Sequence, residues 1–332
     1  MKGRESGRER FLVYLALSVF GLTMILPFLW SLSTALKAES QVHEYPFRWI
    51  PSREIHEVVD EHGGMLKVRV LRRMGDRVRV KVAEGPRKRE LMDLPAAAVH
   101  SYRELDQRPG NFPASWRAYP FVSFGRAYLN SLCVALAVTL GQVITSSLAA
   151  YAFARLRFAG RDILFFGYLA TMMVPGAVTM IPVFILLRNL GWVDTYKALI
   201  IPGIFTAYGT FMLRQFFLTL PKELEDAAKI DGCNYFLIFW KIILPLSKPA
   251  LATLTTFTFM GAWMNFMWPL IVINTEDKFT LPVGLAYFQS LHHTDWTLLM
   301  AASVMMILPI LIVFIFNQRF FVEGIKLTGI KG

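Results

Sequence analysis

The chain has 332 residues, 55% of them hydrophobic, with a mean hydropathy of +0.43 and a formal net charge of +11. Charge in an ordinary soluble domain is spread along the sequence, whereas here it is confined to a few stretches, which excludes that class. The two cysteines, Cys133 in an apolar run and Cys233 in a basic loop, provide no disulfide framework, and the excess of Lys and Arg reads as basic loops beside anionic lipid, not as a nucleic-acid surface.

Six windows carry no charged residue: Phe11–Leu36, Ala127–Ala154, Ile163–Leu187, Ala198–Leu213, Pro249–Thr275 and Trp296–Gln318. A bilayer core about 30 Å thick needs roughly 20 apolar residues of helix. Five windows exceed that, and the fourth continues past Arg214 to Pro221, its guanidinium snorkelling to the headgroups. The sequence therefore predicts an all-α polytopic membrane protein with six transmembrane helices. Residues 1–10, with Lys2, Arg4, Arg8 and Arg10, form a cytoplasmic N-terminus, and residues 11–36 the first span. A cleaved signal peptide is the alternative, but the apolar run is longer than a usual signal core.

Residues 37–126 form an extracytoplasmic loop with a small β-rich insertion at about 50–110. Val68, Val70, Val78, Val80 and Val82 alternate with Lys67, Arg69, Arg77, Arg79 and Lys81, the period of a half-buried strand pair turning at Met74-Gly75-Asp76. Arg87-Lys88-Arg89 follows, then a short strand or helix near Leu91–His100. The insertion is either a docking surface, for a soluble partner or for anionic headgroups, or a decoration with a solvated basic face. Residues 127–318 carry spans two to six, and 319–332 a basic tail. Lys and Arg in the loops after spans two and four and in the tail place both termini in the cytoplasm. Pro27, Pro175, Pro182, Pro202 and Pro309 fall within spans, where each is expected to kink its helix.

The loop at 221–248 is the most informative. Pro221 opens a helix whose first turn carries Glu223, Glu225 and Asp226, complementing the helix dipole. Lys222–Asp226 and Glu225–Lys229 are the expected i, i+4 pairs. Gly232 suits the left-handed residue that ends a helix. A second helix is expected from about Asn234 to Ile243, stopping before Pro245. Tyr235, Phe236, Phe239 and Trp240 form an aromatic group that needs a covering surface.

This segment resembles the signature loop of the permease subunits of ABC importers. Asp226-Ala227-Ala228, Gly232, Ile242 and Leu244-Pro245 keep every spacing, with Asp226 where the pattern has Glu. Tyr128–Leu132 and Ala150–Arg155 at the two ends of span two, Trp263–Leu270 in span five and Phe320–Gly324 in the tail are similar to the carbohydrate branch, in its maltose-type second permease. The resemblance covers about residues 8–36 and 113–332. It implies the ABC importer permease fold, in the inner membrane of a prokaryote. The permease would form half of the translocation route for a sugar, oligosaccharide or polyol. It implies a coupling helix seated on an ATPase subunit, with Asp226, Ala227, Ala228, Asp231, Gly232 and Phe236 at the contact, and a tail at Glu323–Gly332 that reaches the ATPase pair. It also implies the partners: a second homologous permease, two ATP-binding subunits carrying ATP and Mg, and an extracytoplasmic solute-binding protein.

The chain has no phosphate-binding Gly-x-x-x-x-Gly-Lys-Ser/Thr loop, so no cofactor is expected in it and energy must come from another polypeptide. A sugar needs hydrogen-bonding groups and an aromatic face in an apolar pocket, for which Asn265, Trp263, Tyr208, Gln142 and Asn130 are candidates; interhelical bonding is the alternative for each. His292-His293 lacks further ligands at metal spacing and reads as a solvated loop. An ABC permease for a non-carbohydrate solute remains open. A six-span intramembrane enzyme would need a nucleophile or metal motif that the sequence lacks, and a channel would need a pore loop.

Overall fold

The structure, a computed structural model of the chain, describes residues 7–59, 64–84, 88–117, 123–286, 288–289 and 294–329, with side chains excepted at 9 and 321–329. Lys2, Arg4, Arg87, His292, His293 and the last three residues of the tail lie outside the described residues. The chain divides into two units, Met1–Ser115 with Ser290–Val304, and Trp116–Gln289 with Met305–Gly332.

The first unit opens with helix α1, Gly7–Ala35, whose apolar side chains are exposed all round. Such a helix is stable only in lipid or against another chain. A five-stranded antiparallel sheet follows: β1 (Ser52–Val59), β2 (Met65–Met74), β3 (Arg77–Val82), β4 (Leu91–Pro95) and β5 (Val99–Leu105), in the order β4-β3-β2-β1-β5. The period-two pattern located β2 and β3 and their Gly75 turn, where φ is +61°. It missed β1 and β5, which carry Glu, His and Arg on both faces. Val58, Val68, Val78, Val80 and Val82, each 5% exposed or less, form the sheet's core. Full burial is worth about 1.5–3 kcal/mol for each such side chain.

The second unit is helical: α2 (Phe124–Arg155), α3 (Arg161–Ala170), α4 (Gly176–Asn189), α5 (Tyr196–Ile200), α6 (Ala207–Thr219), α7 (Glu223–Ile230), α8 (Tyr235–Ile238), α9 (Lys248–Trp263), α10 (Met267–Val272) and α11 (Leu281–Ala286). Helix α12, Trp296–Gly329, contains Pro309 and ends the described chain. Four segments are long and apolar enough to cross a membrane, and two bent pairs bring the number to six among the described residues. The expected third span is one such pair: Arg161–Met173 and Gly176–Asn189 meet at 100°, the break falling at Val174 and Pro175. The expected fifth span is also interrupted, because α9 stops at Trp263 and α10 begins only at Met267.

Small residues let these helices touch. A Cβ on Gly209 of α6 would fall 2.6 Å from Ser146 Oγ of α2 and 3.1 Å from a Leu254 methyl of α9. Packing and polar cross-links, more than water expulsion, hold helices together in lipid.

Candidate functional site

The segment 221–248 folds as a helical hairpin. Helix α7 ends as the sequence requires: Gly232 takes φ +82°, its N–H donates to the Lys229 carbonyl at 3.0 Å, and the Cys233 N–H donates to the Ala228 carbonyl at 2.9 Å. These two bonds satisfy carbonyls that a helix end leaves orphaned. Asn234 then caps α8, its Oδ1 accepting the Leu237 N–H at 2.8 Å.

The second helix does not stop before Pro245. It widens into a π-turn over Phe239–Ile243 and runs on to Leu246. A π-turn gives the Pro245 ring the room that a regular turn denies it. Nor are the expected i, i+4 pairs made. Asp226 pairs instead with Lys229 at 3.1 Å, at i, i+3. Glu225 turns inward instead.

Glu225 meets Arg155, the last residue of α2, with Oε1 2.9 Å from Nε; the two side chains are 6% and 2% exposed. Arg155 Nη2 also donates to the Phe217 carbonyl at 2.5 Å and the Leu220 carbonyl at 2.7 Å, at the C-terminal end of α6. One guanidinium thus joins α2, α6 and α7. Sequence reasoning quoted Arg155 as part of a motif and Glu225 as a surface partner. It missed their union because the two lie far apart in the chain. Around this pair, Tyr151, Phe217, Ala228, Ile238, Phe239 and Ile243 form a buried cluster. Phe239 therefore leaves the exposed aromatic group and packs on Tyr151, ring centroids 5.2 Å apart.

The other side of the hairpin is uncovered. Asp226, Ala227, Asp231, Gly232 and Phe236 are exposed, while Ala228 is buried. Leu224, Ile230, Tyr235 and Trp240 are exposed beside them, and Phe236 stacks on Trp240 with centroids 6.4 Å apart. The hairpin has one anchored face and one apolar, aromatic face that nothing covers among the described residues.

A second feature lies between the helices. A cavity of about 720 Å³ is lined by Gln142, Thr179, Tyr208, Asn265, Trp268 and Thr280 among mainly apolar neighbours. Pockets of about 300–1,000 Å³ with a few polar groups are typical for small ligands. Gln142, Tyr208 and Asn265 were expected from the sequence; Thr179 and Thr280 were not, because threonine in an apolar run carries no distinctive signal. Asn265 Oδ1 also accepts the Trp268 N–H at 3.4 Å, across the break before α10.

Two other expected residues do not line this cavity. Trp263 is fully buried, and its Nε1–H donates to the Met306 carbonyl at 3.0 Å. Asn130 donates to the carbonyls of Asp277 at 2.9 Å and Phe279 at 3.0 Å and accepts from the Tyr196 hydroxyl at 2.8 Å. Both spend their polar atoms on joining elements of the unit.

Asp194, in the loop before α5, gathers the segment after α10. It accepts from the backbone N–H groups of Asn274 and Thr275, the Thr275 hydroxyl and Lys278 Nζ, at 2.5–3.0 Å. Burial alone would raise its pKa, but hydrogen bonds from Thr275, Lys278 and Asn274 outweigh burial and hold the carboxyl well below the usual range. No group of three or more His, Cys, Asp or Glu is placed to hold a metal among the described residues.

Residues 142–325 match the family of the binding-protein-dependent transport system inner membrane component. The chain belongs to this family. It is a transport permease subunit of the inner membrane, with the ABC permease fold and a small β-sheet. The arabinooligosaccharides transport system permease protein AraQ of Halalkalibacterium halodurans is 42% identical to the permease over 203 residues, 61% of this chain and 73% of that one. The sn-glycerol-3-phosphate transport system permease protein UgpE of Yersinia pestis is 38% identical over 204 residues, again 61% and 73%. A chain from the crystal structure of a bacterial ABC transporter involved in the import of the acidic polysaccharide alginate superposes with a TM-score of 0.70 at 20% identity. That match covers 97% of the permease and 99% of the alginate chain.

Proposed function

We propose that this permease imports a neutral oligosaccharide or related polyol, driven by ATP hydrolysis on partner subunits. It would form one half of the route beside a second homologous permease. Two ATP-binding subunits would hold ATP and Mg, and an extracytoplasmic binding protein would deliver the solute. Both termini would lie in the cytoplasm, as the basic loops suggest.

The observation that carries this reading is the two-sided hairpin. Its exposed side, with Asp226, Ala227, Asp231, Gly232 and Phe236, suits a groove on an ATPase subunit, with Ala228 allowing close packing beneath. Its buried side is joined through Arg155 and Glu225 to two spans, so a force on the hairpin reaches α2 and α6 through one buried ion pair. Closure of the ATPase pair would draw two such hairpins together and rock the helices between outward and inward states. Within the helices, Gln142, Tyr208 and Asn265 supply donors and acceptors, and Trp268 an aromatic face, for a hydroxyl-rich solute. The kinship with AraQ supports an oligosaccharide solute.

The test is uptake by the assembled complex in proteoliposomes, with its binding protein and internal ATP, offered arabino-oligosaccharides or glycerol 3-phosphate. ATP-dependent uptake of the oligosaccharide is expected. Transport without the ATPase subunits, or ATP-driven uptake confined to glycerol 3-phosphate, would refute the proposal.

A further inference from the structure

The β-sheet has an end that is fixed to the first span. Pro51, just before β1, accepts the Asp106 N–H at 3.1 Å just after β5. Arg108 N–H donates to the Leu36 carbonyl at 2.9 Å, and Asn111 Nδ2 to the carbonyls of Ala35 and Lys37, each at 2.8 Å. Ser33 Oγ donates to the Trp49 carbonyl. The edge where β1 enters and β5 leaves is thus tied to the C-terminal end of α1. Trp30, Phe47 and Trp49 cluster at that end, with Trp30 and Phe47 stacked and Trp30 and Trp49 edge-on at 5.4 Å. Aromatic groups at the end of a span mark headgroup depth.

The register returns the β2–β3 hairpin to the same end. β1 and β2 are antiparallel, with His56 opposite Val68. Ser52 lies four residues before His56, and Met74 six residues after Val68. One of those six residues adds no reach, because the register shifts between Val70 and Arg72, so at about 3.3 Å per residue the hairpin tip passes the level of Ser52 by roughly 3 Å, toward the span. This tip carries Leu71 and Met74, 49% and 41% exposed, and the exposed Arg72, Arg73 and Arg77. Arg72 stands opposite Arg79, and Arg69 opposite Lys81. Like charges in register weaken a ladder unless an anion lies over them. Arg79 is engaged by Asp93 through two bonds, at 2.8 and 2.7 Å. Among the described residues Arg72, Arg73 and Arg77 have no salt bridge.

We propose that the hairpin Leu71–Arg77 rests on the extracytoplasmic leaflet and binds anionic phospholipid headgroups. Arg72, Arg73 and Arg77 meet the phosphates, and Leu71 and Met74 enter the interface. Guanidinium groups suit phosphate through paired donors, and apolar side chains flanked by cations suit the boundary between headgroup and acyl chain. A soluble docking partner would not require the apolar tip to point back along the chain toward the span. The placement on the outer leaflet rests on the orientation proposed above.

The test uses the assembled complex in nanodiscs of equimolar phosphatidylglycerol and phosphatidylcholine, with a photo-crosslinking benzoylphenylalanine at Met74 or at Met65, the opposite end of β2. Mass spectrometry of the adducts is expected to show lipid at position 74 only, with phosphatidylglycerol preferred about fivefold or more, the effect of one cation near a charged surface. Arg72→Gln, Arg73→Gln and Arg77→Gln together should bring the ratio to about one, while Lys at all three should keep the preference. Lipid adducts equal at both positions, no lipid adduct at 74, no headgroup preference, or an adduct with the binding protein instead would each overturn the proposal. None of these readouts depends on transport, so they stand apart from the test of solute and coupling.

Discussion

The hairpin α7–α8 and the β-sheet are both built from short elements, yet they distribute their residues in opposite ways. The sheet puts valine inside and arginine outside, as a self-sufficient small fold does. The hairpin buries an ion pair inside and leaves Leu224, Ile230, Tyr235, Phe236 and Trp240 outside. A structure that hides charge and displays aromatic surface is shaped by what covers it. The lesson is that burial pattern, more than composition, separates a part meant to be gripped by protein from a part meant for water or headgroups.

The largest effect should come from Arg155. Arg155→Met leaves Glu225 buried without its cation and frees the carbonyls of Phe217 and Leu220; losing one partner of a buried pair costs about 3–5 kcal/mol. ATP-driven uptake should fall by more than an order of magnitude. Adding Glu225→Gln should recover part of the loss, because a neutral buried group is less costly than an unpaired charge. Equal uptake in wild type and Arg155→Met would mean that the ion pair transmits nothing.

Next comes Gly232→Pro. Proline fixes φ near −65°, far from +82°. Uptake should be uncoupled from ATP hydrolysis while the chain still inserts, measured by parallel ATPase and uptake assays. Phe236→Ala with Trp240→Ala should leave thermal stability nearly unchanged but weaken ATPase association by roughly tenfold, since exposed aromatics cost little in the fold and much at an interface.

Smaller effects should divide the residues of the helical unit by role. Tyr208→Phe should raise the KM for the solute by about three- to tenfold, the loss of one hydrogen bond, with ATPase coupling intact. Asp194→Asn should destabilise by about 1–3 kcal/mol without changing KM. The sign for pH follows: a depressed carboxyl gives stability that is present above its unfolded pKa, about 3.9, and lost as pH falls through the lower folded value. The smallest change is expected on replacing about residues 55–107 with a short linker, which should alter uptake by less than about twofold.

Local chemistry was the legible part. Gly232 acts on neighbours within four residues, so its turn could be read directly, and the second helix was expected to start at about Asn234. The spans were legible because exclusion of charge from lipid is a long-range average over many residues. What depended on tertiary partners was not legible. Glu225 found Arg155 instead of Lys229, and Trp263 and Asn130 turned to carbonyls distant in sequence. β1 and β5 carry too many polar residues to announce themselves as strands. Pro245 also misled, since a proline ends a helix only where the turn around it keeps its regular width.

The meeting of α8 and α9 has one further consequence. Tyr235–Leu246 and Lys248–Trp263 lie at 79° to each other, joined at Ser247, whose hydroxyl donates to the Ile243 carbonyl at 2.7 Å. Under the proposed coupling such a corner would work as a bell crank. A push along the short arm would arrive as a sideways swing of the long one, whose far end carries Gly261 and Ala262 on the cavity wall. Small travel at the surface would then become a change of shape at the cavity.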